Sequence, residues 1–279
     1  MKGPPPVSIF TWPSHQGVAC CAPHRKDARL NALLLPTHAT TRLRRPAHHQ
    51  AVRLRVRVSA VSSLAPTQGT HGRRASVFER LALDAAMDAC MRWGGDLSTL
   101  QSVFATHSGD AQAVDRLLRS VTTTPVAPSP LTFLQSVSCT LAGTWATRTH
   151  NLAASTTVTA GPHTLGAALL EAAVMVVCEE HPCLLVVADV PPPPPLSMPD
   201  HVTASQALAV ILSPMSGTGS AIDIGHMDAQ AVHRARVADV DLLRAVLAGK
   251  TREVTVASGP SSYVAIHVQR AHPGGSANL

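Results

Sequence analysis

The chain has 279 residues, a net charge of +6 and only 3% aromatic residues, so it can hold one large or two small domains whose core is packed from Ala, Val and Leu. No run of about 18 apolar residues free of charge occurs, which argues against a membrane-spanning helix. The six cysteines (Cys20, Cys21, Cys90, Cys139, Cys178, Cys183) form no C-x-x-C pair, which excludes a paired-cysteine metal knuckle and leaves reduced thiols as the expectation.

Charge divides the chain. Through Gly72 there are ten Lys or Arg against one acid, Asp27, a balance of +9; the remainder carries thirteen against sixteen, a balance of −3. Residues 1–72 therefore read as a basic, irregular lead, with a short first strand at 7–12. The alternation of Arg with Val or Leu over 51–61 fits a strand with one basic face or an unstructured basic stretch. Low acidity and many arginines also fit a targeting segment, but the Pro-rich start forms no amphipathic helix, and a weakly ordered lead is preferred.

From Ala75 the pattern is regular. Ser76 and Glu79 have capping-box spacing and open a helix through Met91 that closes at Gly94-Gly95. A buried strand is predicted over 100–106, a short helix over 111–120, a Pro-rich loop over 122–130 and a helix over 136–150. The β-branched residues Thr156, Thr157 and Val158 then run into Ala160-Gly161-Pro162. The following helix places Leu165, Ala168, Leu169, Ala172 and Val176 on one apolar face. A strand over 183–188 ends at Asp189, and five prolines (191–195) read as an extended spacer or exposed loop. Further strands are expected over 205–212, 254–258 and 263–268, with a helix over 240–248 and a frayed tail at 271–279. Alternating helices and strands over 73–270 give an α/β layered fold.

The strand-turn-helix unit at 155–178 has the geometry of a nucleophile elbow. A residue at such a turn faces a helix N-terminus, where partial positive charge and N–H groups favour a thiolate or an oxyanion. The apex here is Gly161-Pro162, with neither Cys nor Ser.

In order and spacing, the segments 104–110 (FATHSGD), 128–133 (PSPLTF), Ser136-Val137, Gly143, 159–161 (TAG) and 185–189 (LVVAD) resemble the β-ketoacyl-synthase-like family of short proteins similar to the N-terminal half of condensing enzymes, often described as chain length factors. The resemblance implies half of a thiolase-like fold, a mixed sheet between helices, and a setting in aryl polyene, type II polyketide or fatty-acid-like pathways. It implies that Gly161 stands where condensing enzymes hold the nucleophilic Cys. It also implies contacts through the sheet and the preceding helix, hence a homodimer or a heterodimer with a catalytic ketosynthase, with acyl carrier protein as a further partner. The chain departs from the family at Ser136-Val-Ser-Cys139, where Ser-Val-His-Asn is usual, and at 160–164 (AGPHT), where Ala-Gly-Glu-Asp-Thr is usual. These changes alter polar positions and keep the apolar framework.

Three functional readings follow: a non-catalytic partner of a ketosynthase, an acyl-thioester transferase using Cys139 with His163 as base, and a degenerate member whose basic lead binds acyl carrier protein or nucleic acid, the last being the least supported partner. Ser136, Ser138 and Asp189 are candidate binding residues; a buried Cys139 and an Asp189 that merely caps its turn are the structural alternatives. No His/Cys ligand set and no phosphate-cradling glycine motif occurs, so neither metal nor cofactor is expected. The expected location is cytoplasmic.

Overall fold

The computed structural model describes residues 53–62, 75–122, 128–197, 202–228, 240–248 and 253–269. The strand expected at 7–12, Cys20, Cys21 and the tail at 271–279 lie outside these. One mixed sheet organises the body, in the order β3-β2-β4-β5-β1-β6-β8-β7. Its strands are β1 (Arg53–Val61), β2 (Gln101–Ala105), β3 (Ser155–Val158), β4 (Cys183–Asp189), β5 (Gln206–Ser213), β6 (Ser220–Asp228), β7 (Glu253–Gly259) and β8 (Ser262–Val268). β3, β2 and β4 run parallel, and every other pairing is antiparallel.

Six helices, α1 (Val77–Trp93), α2 (Ala111–Thr122), α3 (Pro130–Ser136), α4 (Thr140–Thr149), α5 (Thr164–Glu179) and α6 (Val240–Leu247), complete the described elements. One core joins α1 and α4 to one sheet face through Phe104, Trp145, Leu184, Val186 and Ile211. Phe104 and Trp145 meet with centroids 6.5 Å apart and planes tilted by 58°. The opposite core packs α5 and α6 on Val103, Leu185, Val187, Leu208 and Val210. All seven residues of β4 are buried, as expected for a strand covered on both faces. The chain thus has an α/β layered architecture, a mixed sheet between helices.

Several sequence expectations need correction. The body begins well before residue 73: β1 is an interior strand between β5 and β6, with Val56 and Val58 in the core. Its basic face is tied down, Arg55 to Asp223 at 2.7 Å and Arg57 to the Met215 and Gly219 carbonyls at 3.0 and 2.6 Å. The helix expected over 136–150 starts later, as α4, and a separate helix, α3, precedes it, beginning at the end of the Pro-rich loop with Pro130 in its first turn. β6 was not foreseen, because Gly219 and Gly225 interrupt its short alternation of Ile222 and Ile224. In the proline run, Pro192 is buried and the Leu196 N–H bonds the Pro193 carbonyl at 2.8 Å, so a turn interrupts the extended spacer.

α5 with the turn before it (Gly161–Glu179, 19 residues, mean hydropathy 1.4) is long and apolar enough to cross a membrane, contrary to the composition-based exclusion. It carries Glu171 and buries Ala168, Leu169, Ala172, Ala173 and Val176 against the sheet, the pattern of a core helix. α5 packs on strands from both edges, β3 and β7, so the sheet curls around it. At Gly166 a Cβ would lie 2.4 Å from the Ala257 carbonyl oxygen, so the helix can approach β7 this closely only without a side chain.

Candidate functional site: the elbow, its brace and the adjoining cleft

The C-terminal ends of the parallel strands, where α/β sheets place their ligand sites, carry three features. The first is the elbow. β3 pairs in parallel with β2 from Ser102↔Ser155 to Ala105↔Val158, and a 3-10 turn, Gly161–His163, leads into α5. Gly161 has φ +54°, the left-handed conformation that glycine adopts without strain, and no heavy atom lies within 4 Å of where its Cβ would stand. Thr164 staples the turn: its Oγ1 accepts from the Ala160 N–H at 2.9 Å and donates to the Gly161 carbonyl at 2.7 Å. The His163 N–H bonds the Ala160 carbonyl at 3.1 Å, and the Thr164 N–H bonds the Gly161 carbonyl. Pro162 has no N–H. The turn keeps the form of an elbow, but the amides of residues 160, 163 and 164 are committed within it, leaving no pair of free donors there for an oxyanion.

The second feature is a buried brace. Asp189, at the end of β4, accepts from Thr106 Oγ1 at 2.9 Å and from the His107 N–H at 2.7 Å, and Thr106 Oγ1 accepts in turn from the Gly109 N–H at 2.9 Å. This locks the loop that leaves β2. Burial pushes the Asp189 carboxyl above its ordinary value, and the bonds from His107, Thr106 and Ser108 offset that only in part. Its carboxylate thus braces the loop after β2 and not the turn that adjoins it in sequence.

The third feature is a small cleft between that loop, the first turn of α1 and the α3–α4 junction, with a volume of about 20 Å³. Glu79, Asp110, Ser136, Ser138 and Thr140 line it. Asp110 caps α2, its Oδ1 accepting from the Ala113 N–H at 2.8 Å. Ser76 likewise caps α1, Oγ accepting from the Glu79 N–H at 3.1 Å.

With this geometry in view, the comparisons decide the family. The model for the β-ketoacyl synthase N-terminal domain matches residues 45–263. The chain belongs to that family. Solved structures share its fold. One is a ketosynthase (ApeO) in complex with its chain length factor (ApeC) from Xenorhabdus doucetiae (TM-score 0.58, 16% identity, 77% of this chain and 97% of that chain covered). Another is the ishigamide ketosynthase/chain length factor (TM-score 0.56, 12% identity, 70% and 81% covered). A third is AntDE:AntF, a type II polyketide acyl-carrier protein in complex with its ketosynthase bound to the hexaketide (TM-score 0.51, 12% identity, 59% and 64% covered). No curated protein sequence matches the chain.

Within this family fold, the candidate residues fall in different places. Ser136 and Ser138 share the cleft, with the Ser136 hydroxyl donating to the Phe133 carbonyl at 2.7 Å. Gly161 and His163 belong to the elbow. His163 is half-buried, and its Nδ1 is enclosed with no hydrogen-bond partner. Cys139 is exposed at the N-terminus of α4, which corrects the reading of it as a buried thiol, and no hydrogen bond joins it to His163. Cys178 is also exposed. Cys90 and Cys183 are buried, and burial pushes both thiols up to about 12, with the charge of Glu171 adding to it at Cys183. Among the described residues no group of three or more His, Cys, Asp or Glu is placed to hold a metal ion.

Thr106, Thr164 and Asp110 escaped sequence reasoning as individuals. Thr106 and Asp110 lie within the 104–110 segment, whose residues carry the family resemblance as a run and not singly, and Thr164 follows an apex that holds no nucleophile. An Asp immediately before an amphipathic helix was the one local signal available, for Asp110.

Proposed function

We propose that this chain is a non-catalytic, chain-length-factor-type partner of a ketosynthase in polyketide or fatty-acid-like biosynthesis, working in the cytoplasm. The observation that carries this reading is the elbow itself. It keeps the left-handed apex and the helix behind it, yet holds glycine at the position resembling the nucleophile and has spent its neighbouring amides on its own turn. A condensing enzyme needs a thiolate and an oxyanion site together, and this turn supplies neither.

Exposed apolar surface supports a protein partner. α2 buries only Ala111 and Ala113, and α3 buries no residue. Leu118, Val121, Leu131, Phe133 and Leu134 stand exposed on these two helices, and Leu152, just before β3, is 97% exposed. Among the described residues, β3 ends the sheet with one edge unpaired. An open edge beside apolar side chains is a surface suited to another chain, and we assign it to the ketosynthase, with acyl carrier protein reaching the complex.

The test is incubation of the chain with malonyl- and acyl-carrier-protein thioesters, followed by intact-mass analysis, alongside co-purification with a ketosynthase encoded nearby. Absence of an adduct together with a stable complex is the expected result. An acyl adduct mapping to Cys139 would overturn it in favour of a transferase using that exposed thiol.

A further inference from the structure

The helices differ sharply in how they are held to the body. α1 buries eight residues and α5 seven, whereas α2 buries only Ala111 and Ala113 and α3 buries none. Among the described residues, neither core on the two faces of the sheet includes a residue of α2 or α3. The two helices pack on each other, α3 also meets α4, and neither packs along a strand as α1 and α5 do. Arg116 Nη2 donates to Gln135 Oε1 at 3.3 Å across the pair, and Arg119 holds Asp115 at 2.8 Å within α2. The pair coheres with itself more than with the sheet.

Both of its ends are simple joints. The Asp189 brace fixes the loop after β2 as far as the Gly109 N–H, which donates to Thr106 Oγ1. Gly109 itself has φ +64°, and no heavy atom lies within 4 Å of where its Cβ would stand. At the other end Val137 is extended, with φ −83° and ψ 136°, between α3 and α4. Beneath α2 runs a groove of about 280 Å³. It separates Ala111 and Val114 from Pro192 and Leu196 of the segment after β4, and His107 and Ser108 are its other described lining residues. Few buried contacts and a residue free to turn at each end are the conditions under which a segment moves apart from its body.

We infer that α2 and α3 form a flap that swings as one body about Gly109 and Val137, widening and narrowing the groove against Pro192 and Leu196. The swing carries Gly109 out of the left-handed region, while the brace on Asp189 stays in place and sets the hinge line. The outer face of the flap is the one assigned above to the ketosynthase, but the motion follows from the packing of this chain alone and does not rest on that assignment.

The experiment is relaxation-dispersion NMR on the full chain alone, which detects hinge motion on the microsecond-to-millisecond scale. The amides of α2 and α3 should fit one shared rate and one shared minor population, Leu196 should report the same process, and α1 and α5 should be silent. Gly109→Ala penalises the left-handed conformation of the observed position and should raise the minor population about fivefold or more. No dispersion in α2 and α3, separate rates for the two helices, or the same process in α1 and α5 would overturn the flap. An unchanged population in Gly109→Ala would do so as well. Hydrogen exchange on the same sample separates swinging from melting. Amide protection that persists through 111–122 and 130–136 is expected, and its loss across both helices on that timescale would show local unfolding and overturn the inference. No ketosynthase enters any arm, so failure here leaves the proposed partnership standing, and failure of the partnership leaves the flap standing.

Discussion

The elbow and the cleft occupy the same end of the sheet and treat their polar groups in opposite ways. At the elbow, Thr164 and the turn carbonyls take up the Ala160, His163 and Thr164 N–H groups, and Pro162 has none. Among the side-chain atoms of the turn, His163 Nδ1 is left enclosed and unpaired. In the cleft, Asp110 Oδ2 is buried without a partner beside a second carboxylate. Thr106 stands between the two regions. Its hydroxyl is held by Asp189, its carbonyl lies 3.5 Å from Thr164 Oγ1, and it lines the cleft. The elbow turns most of its polar groups on one another, whereas the wall of the cleft leaves one carboxylate oxygen without a partner.

The largest expected effect breaks the seating of the elbow. Gly166→Ala would place a methyl group 2.4 Å from the Ala257 carbonyl oxygen, with backbone on both sides of the contact. Overpacking of this kind costs about 1–3 kcal/mol and occasionally more, so urea unfolding should show a loss in the upper part of that range. A loss under about 0.5 kcal/mol would mean that α5 is not held tightly on β7.

Next comes the brace. Asp189→Ala strands the Thr106 and His107 donors and should cost about 1–3 kcal/mol, while Asp189→Asn keeps an acceptor and should cost less. Burial is the main reason that the Asp189 carboxyl titrates above its ordinary value. Its contribution to wild-type stability is therefore fully present below the ordinary Asp range and is lost as pH rises through the folded-state value. The Asn variant has no such dependence, so its stability relative to wild type should improve as pH rises above the ordinary Asp range. A difference constant with pH would show that the carboxylate is not desolvated.

Gly161→Cys sharpens the contrast between form and chemistry. The side chain meets open space, so the cost should be the left-handed strain alone, about 1–2 kcal/mol. The variant should gain a thiol that alkylates but should form no acyl adduct with a carrier-protein thioester, because no amide pair in the turn receives the oxyanion. Acylation at position 161 would show that the turn rearranges. The smallest effect is on native thiol labelling. Cys139 and Cys178 should react with a maleimide well before Cys90 and Cys183, whose burial pushes them up to about 12. Peptide mass mapping reads the order directly.

Periodicity and turn chemistry are local properties, and they determined most of the framework. Ser76 and Gly94 mark the ends of α1, the apolar run over 183–188 marks a strand covered on both faces, and the small-residue face of α5 marks the helix at the centre of the core. The elbow, and the absence of a nucleophile from it, were likewise written in residues 155–178. Only the tertiary structure decided that β1, carrying three arginines, is an interior strand, because the groups that accept Arg55 and Arg57 (Asp223 and the Met215 and Gly219 carbonyls) lie far along the chain. Only the structure placed Asp110 and Glu79 across one cleft and Asp189 on the loop after β2. Hydrogen-bond satisfaction of a buried group depends on which distant segments meet around it, and local sequence carries no record of that meeting.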